Sequence, residues 1–181
     1  MARAAATERP IPACEGSLQA IAEADLIVFC PGSLFTGLIA LLLTKGVRKA
    51  LAASRAPKVY FCNLMTQPGQ TDDFSLGDHV RQLSRYLPIP PDYVVANNGP
   101  IPMELLAHYE RIGSYPVSLD GVEPGYRLVT TDLVDRGEDR ANLGLSNEGD
   151  RAYGEGLKGG LHWITHHPVR SAQMLFQIMG R

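Results

Sequence analysis

Residues 24–37, Ala-Asp-Leu-Ile-Val-Phe-Cys-Pro-Gly-Ser-Leu-Phe-Thr-Gly, set a short apolar run directly before a turn of small residues that opens a helix. Such a junction can hold an anion, because the first backbone N–H groups of a helix lack partners within it and the helix dipole adds partial positive charge. Gly32 would let a phosphate approach the backbone, and Ser33 and Thr36 would add hydroxyl donors. No lysine follows as in a P-loop, so the pattern is less specific than that motif. Ser33 also reads as an ordinary N-cap, and local sequence leaves both readings open.

Two further apolar runs end in polar turns. Residues 59–62 lead into Asn63, Thr66 and Gln67, and residues 93–96 lead into Asn97 and Asn98 before Gly99. In an open α/β sheet the ligand crevice lies beyond the carboxyl ends of the strands, which would bring these three turns together. Asn and Gly also dominate turns for conformational reasons alone, and that reading stands beside the first.

His79, next to Asp78, could act as a general base or donate a hydrogen bond to phosphate. It also reads as a surface histidine in a capping arrangement. Asp72 and Asp73 could hold a magnesium ion between phosphates. His166 and His167 are adjacent and in extended chain face opposite ways, so His166 alone is taken as a ligand contact. Asp135, Glu138 and Asp139 admit a metal site, but a solvated acidic loop accounts for them more simply. Phosphoryl transfer needs charge neutralised at several points, and no Lys or Arg stands in the three turns, so catalysis by this chain alone is not expected.

The elements that must position these residues follow from periodicity. Residues 26–30, 59–62 and 93–96 are short enough and apolar enough for buried parallel strands. A helix is predicted over 17–24 with Ser17 as N-cap, and another over 38–51 with a kink at Gly46. A third starts at Ser75, where Asp78 completes a capping-box variant and Val80, Leu83 and Leu87 share a face. A fourth starts at Pro102, carrying Leu105, Leu106 and Tyr109. The last spans about 168–179 and presents Ala172, Leu175, Phe176 and Met179 to a core. Residues 135–160 hold seven of the 18 glycines and few large apolar side chains, which reads as a loop or insertion.

At 181 residues and 45% hydrophobic composition the chain can bury one sizeable core. The expected organisation is a lead-in over 1–14 and one domain over 15–181. A net charge of -2, from 17 basic and 19 acidic residues without long runs of either sign, gives no footprint for nucleic acid or membrane. No stretch approaches the roughly twenty apolar residues that span a bilayer, and the N-terminus lacks the apolar core of a signal peptide, so a cytoplasmic location is expected. Cys14, Cys30 and Cys62 match no zinc spacing. Cys30 and Cys62, at strand ends, read as buried structural thiols.

Three blocks carry a family resemblance: residues 24–37, residues 58–71 (Lys-Val-Tyr-Phe-Cys-Asn-Leu-Met-Thr-Gln-Pro-Gly-Gln-Thr) and residues 74–80 (Phe-Ser-Leu-Gly-Asp-His-Val). In order and spacing the chain resembles the C-terminal half of the YvcK proteins, the gluconeogenesis factors. These share a superfamily with CofD, the 2-phospho-L-lactate transferase of deazaflavin coenzyme synthesis. The likeness runs from near Glu15 through 94–102 (Val-Val-Ala-Asn-Asn-Gly-Pro-Ile-Pro) and resumes at 164–176. The tract 63–71 favours the YvcK branch.

The resemblance implies a three-layer, Rossmann-like α/β fold with a mostly parallel sheet. It also implies a cytoplasmic protein that binds UDP-N-acetylglucosamine and acts in carbon metabolism, cell-wall regulation and cell shape, with no firmly attached reaction. It adds weight to a functional His79 and to a crevice lined by Gly32, Ser33, Thr36, Asn63, Thr66, Gln67, Asp78, His79, Asn97, Asn98 and His166. The enzyme alternative is a CofD-like transferase moving a phospholactyl group from a guanosine diphosphate donor with magnesium; under the regulatory reading no cofactor is expected.

Two departures stand out. The strand with its Gly-Gly-Gly-Thr-Gly loop and the Asp-Asp-Gly-Gly-Ser segment that begin family members are not found here. A homo-oligomer, or a partner supplying that half, is one consequence, and a truncated inactive domain is another. Before the last helix, where the family commonly has a basic residue, His and Asp, this chain has Thr165, His166 and His167.

Overall fold

The computed structural model describes residues 11–136 and 164–180. Four parallel strands form one sheet in the order β1 (Ile27–Phe29), β2 (Lys58–Phe61), β3 (Tyr93–Asn97) and β4 (Arg127–Thr131). The register pairs Phe29 with Tyr60, Phe61 with Val95, and Asn97 with Thr131, so the strands end along one edge. Alternation sorts the side chains into two cores. Phe29, Tyr60, Cys62, Val94 and Ala96 pack on one face with helix residues such as Leu34, Leu51 and Leu83. Val59, Phe61, Val95 and Leu133 pack on the other with Met174. A sheet buried on both faces explains why its strands read as continuous apolar runs. Among the described residues, no helix is long and apolar enough to cross a membrane.

Helices α1 (Glu15–Glu23), α2 (Ala40–Leu42), α3 (Val47–Ala53), α4 (Leu76–Ser84), α5 (Met103–Arg111) and α6 (Pro168–Ile178) complete the described fold. Several depart from the periodicity reading. Ser17 lies inside α1, whose N-cap is Cys14, and its hydroxyl donates to the Cys14 carbonyl. The helix expected over 38–51 begins earlier as a π-helical turn, Leu34–Ile39, runs into α2, and then breaks. Gly46 has φ 101° at the N-cap of α3, a conformation only glycine adopts readily, so it restarts the helix instead of kinking it.

The capping box at Ser75 forms as expected: Ser75 Oγ accepts from the Asp78 N–H, and Asp78 Oδ2 accepts from the Ser75 N–H. On α6 the buried face is Met174 with Leu175 and Ile178, while Phe176 is 56% exposed and Ala172 is also exposed. The apolar stripe is therefore offset from the expected one.

β4 has no counterpart among the expected strands. Its residues are half-buried at Leu128, Val129 and Thr131 and exposed at Arg127 and Thr130, without a long apolar run. The chain reaches it after crossing the carboxyl edge of the sheet. There the Leu76 and Gly77 N–H groups donate to the carbonyls of Ser118 and Asp120, and further along α4 Arg81 pairs with Glu123. Gly77 is obligatory at this crossing, because a Cβ would collide with the Gly121 carbonyl.

Candidate ligand crevice

The turn after β1 is held by the residue after β2. Asn63 Oδ1 accepts from the Gly32 N–H at 3.0 Å, and Asn63 Nδ2 donates to the Gly32 carbonyl at 2.8 Å. This reciprocal pair presents residues 31–33 at the edge of the sheet without any ligand. A Cβ on Gly32 would meet nothing within 4 Å, so the space over this glycine is open.

A cleft of about 350 Å3 lies against the turn, lined by Pro31, Gly32, Asn63, Leu64, Met65, Ile164, Thr165 and His166. A smaller one of about 170 Å3 adjoins it through Asn63 and Leu64 and reaches Asn97, Asn98 and Gly99. The larger volume sits at the low end of the roughly 300–1,000 Å3 usual for small-molecule sites. A cavity of about 310 Å3 between α4 and residues 123–126 lies off this edge, and its Arg81 is already paired with Asp78 and Glu123.

Structure distinguishes the residues that face the clefts from those that build them. His166 lines the larger cleft, with Nε2 3.1 Å from the Cys62 carbonyl and its ring edge-on to Phe61 at 6.2 Å. Burial lowers its pKa, which favours the neutral ring donating through Nε2. His167 turns the other way and caps α6 through Nδ1, which accepts from the Arg170 N–H. Asn98 is exposed at the smaller cleft, its Nδ2 donating to Thr130 Oγ1.

Asn97 is spent on the backbone: Oδ1 accepts from the Gly99 and Leu133 N–H groups, and Nδ2 donates to the Gly99 carbonyl. Thr66 is buried and locked to residues 114–115, with Oγ1 accepting from the Tyr115 N–H. The Gln67 N–H donates to Thr71 Oγ1 within its own turn. Of these three, Asn97 still lines the smaller cleft, whereas Thr66 and Gln67 line neither.

Ser33 and Thr36 also differ from the expectation of free hydroxyl donors. Ser33 Oγ donates to Gln70 Oε1 at 2.8 Å and lies 2.6 Å from Thr36 Oγ1. Ser33 has one proton, already given to Gln70, so the Thr36 hydroxyl must donate to Ser33. Both protons are used within the protein.

His79 is wholly buried. Its Nδ1 donates to the Ser75 carbonyl at 2.9 Å, its ring meets Phe74 edge-on at 5.5 Å, and Nε2 has no partner. Desolvation pushes its pKa down. The ring has no exposed surface in this state, so the surface histidine of the alternative reading is not found. Its neighbour Asp78 serves the capping box and an ion pair with Arg81.

Asp72 and Asp73 are exposed, and among the described residues no three His, Cys, Asp or Glu side chains group around a metal position. Asp135 is buried, its N–H donating to the Thr165 carbonyl, while Glu138 and Asp139 lie outside the described residues. Cys62 is buried, but Cys30 is exposed, contrary to expectation.

The strand-end cations that sequence reasoning missed stand beyond β4. Asp132 pairs with Arg136 at 2.7 Å and Arg170 at 2.8 Å, and Arg170 also donates to the Asp132 carbonyl. These pairings hold the Asp132 carboxyl below the usual carboxylate range. A Cβ on Gly99 would collide with this carboxylate, tying the smaller cleft to the cluster. The signal was hidden because β4 itself was not foreseen.

A parallel sheet covered by helices, with an open crevice beyond its carboxyl edge, defines a Rossmann-like α/β fold. The chain belongs to the CofD family, whose model, described as 2-phospho-L-lactate transferase CofD, matches residues 2–134. A Thermotoga maritima protein named "Putative gluconeogenesis factor" is 45% identical over 113 residues, covering 62% of this chain and 36% of the relative. An Aquifex aeolicus protein of the same name is 32% identical over 167 residues, covering 91% of this chain and 44% of the relative. The Bacillus subtilis gluconeogenesis factor is 37% identical over 105 residues, covering 58% of this chain and 33% of the relative. A crystal structure of a UPF0052 family member from Bacillus halodurans superposes with a TM-score of 0.69 at 31% identity, covering 74% of this chain and 44% of that one. The chain thus spans less than half the length of each of these relatives.

Proposed function

We propose that this chain contributes a nucleotide-sugar site, of the UDP-N-acetylglucosamine type, to a regulatory protein of the gluconeogenesis-factor kind acting in carbon metabolism, cell-wall regulation and cell shape. The observation that carries the reading is the preformed turn: Asn63 holds Gly32 at the rim of an open cleft that His166 closes from the other side. The cleft lining carries no acidic side chain and opens beside the start of a helical turn, a setting that suits a ligand whose charge is spread over a diphosphate. The names of the relatives support the regulatory side of the reading.

The test is calorimetric titration of the chain with UDP-N-acetylglucosamine, beside GDP with magnesium. Saturable binding of the UDP sugar, without turnover of it, is the expected result. GDP-selective binding, with product formed from a phospholactyl donor, would replace this reading with the transferase that the family description suggests. Binding of neither would make the isolated chain an inactive piece of the site.

A further inference from the structure

We infer that His166 selects a neutral hydrogen-bond donor on the ligand, a hydroxyl or an amide-type N–H, and turns phosphate away from its end of the larger cleft. This rests on the nucleotide-sugar reading and adds which part of such a ligand lies against His166, the sugar or the base. A carbonyl oxygen only accepts, so Nε2, the ring nitrogen 3.1 Å from the Cys62 carbonyl, carries the proton. In the neutral ring Nδ1 is then an acceptor. Nδ1 has no partner among the described residues and is not sealed from solvent, and the open space that His166 borders is the larger cleft. A phosphate oxygen set against Nδ1 would put acceptor against acceptor, whereas a hydroxyl or N–H of a sugar or base completes the bond.

The surroundings hold the imidazole in this sense. His166 bridges Val134 in antiparallel fashion, with the Asp135 N–H donating to the Thr165 carbonyl on one side and the His167 N–H to the Leu133 carbonyl on the other. With the Phe61 ring edge-on and the Cys62 carbonyl on Nε2, both the ring position and its tautomer are fixed before a ligand arrives. Pro31, Leu64, Met65 and Ile164 make much of the cleft wall apolar, so an unmatched acceptor there is costly. The titratable groups on the packed segments are the Cys62 thiol, pushed up to about 12, Tyr109, Asp135, His167, and Asp132 with its partners Arg136 and Arg170. The titration of His166 answers first to burial and then to the Cys62 carbonyl, not to a carboxylate.

The test is titration of the wild-type and His166→Gln chains with UDP-N-acetylglucosamine from about pH 7.5 down to about pH 5, with circular dichroism confirming the fold at each pH. Protonation of Nδ1 removes the acceptor, so wild-type affinity should weaken on acidification, approaching about tenfold per pH unit below the folded-state value, which lies under 6.5. The glutamine amide keeps a donor for Cys62 and an acceptor for the ligand without titrating. His166→Gln should therefore bind within about threefold of the wild type at the upper pH and lose the pH dependence. Wild-type affinity that rises on acidification would overturn the inference, because the imidazolium would then be holding phosphate. A flat wild-type profile, a slope that survives in His166→Gln, or a folded His166→Gln chain that fails to bind would overturn it as well. Absence of wild-type binding at the upper pH, with the chain folded, would overturn the nucleotide-sugar site itself and this inference with it.

Discussion

Asn63 grips the Gly32 backbone at both its N–H and its C=O, joining the ends of β1 and β2 across 31 residues of sequence. The carboxamide is the one side chain of this size that offers a donor and an acceptor side by side, so it matches a backbone unit as another strand would.

Asn63→Asp should therefore be worse than its size suggests. The carboxylate still accepts from the Gly32 N–H but faces the Gly32 carbonyl with a second oxygen. Loss of this pair should cost about 1–2 kcal/mol of stability, read by urea denaturation, and should weaken nucleotide-sugar binding further than the stability loss explains.

Gly77→Ala and Gly99→Ala should both destabilise, by about 1–3 kcal/mol each from overpacking. The larger effect is expected at Gly77, where the added methyl meets the Gly121 backbone carbonyl, than at Gly99, where it meets the side-chain carboxylate of Asp132. Thermal midpoints of the two variants check the order.

Stability should fall as the pH is lowered below the ordinary imidazole value of 6.5. Burial holds His79 and His166 below the ordinary imidazole value of 6.5. The unfolded chain then binds more protons than the folded one, so the contribution is complete above 6.5 and is lost as the pH falls from there toward the folded-state values. Asp78 and Asp132 are held below their ordinary value of 3.8, so their contribution fades only at lower pH. His79→Phe should shrink the slope of thermal midpoint against pH in the upper window and leave the acidic limb in place.

Thiol labelling should separate the cysteines. Cys62 is buried and its thiol is pushed up to about 12, so iodoacetamide should reach it only on unfolding. Cys14 and Cys30 are exposed, and a hydrogen bond with Ser17 lowers the Cys14 pKa, so Cys14 should react first. Peptide mass mapping over time gives the order directly.

The first three strands were legible in sequence because each is buried on both faces, and a doubly buried strand shows itself as an unbroken apolar run followed by polar turn residues. The α4 cap was legible for a similar reason, since Ser75 and Asp78 satisfy each other within one turn. By itself, then, the sequence determined the parallel α/β framework, the edge on which Gly32, Asn63 and Asn97 would meet, and, through its motifs, the family. Only the tertiary structure decided what those residues do with their hydrogen bonds. Whether Ser33 has a proton to offer depends on Gln70, whether Asn63 faces ligand or backbone depends on Gly32, and the cations at the fourth strand arrive from Arg136 and from Arg170, 38 residues beyond Asp132. The burial of His79 was not foreseen for the same reason: periodicity within a segment reports which face is apolar, not what is laid against it.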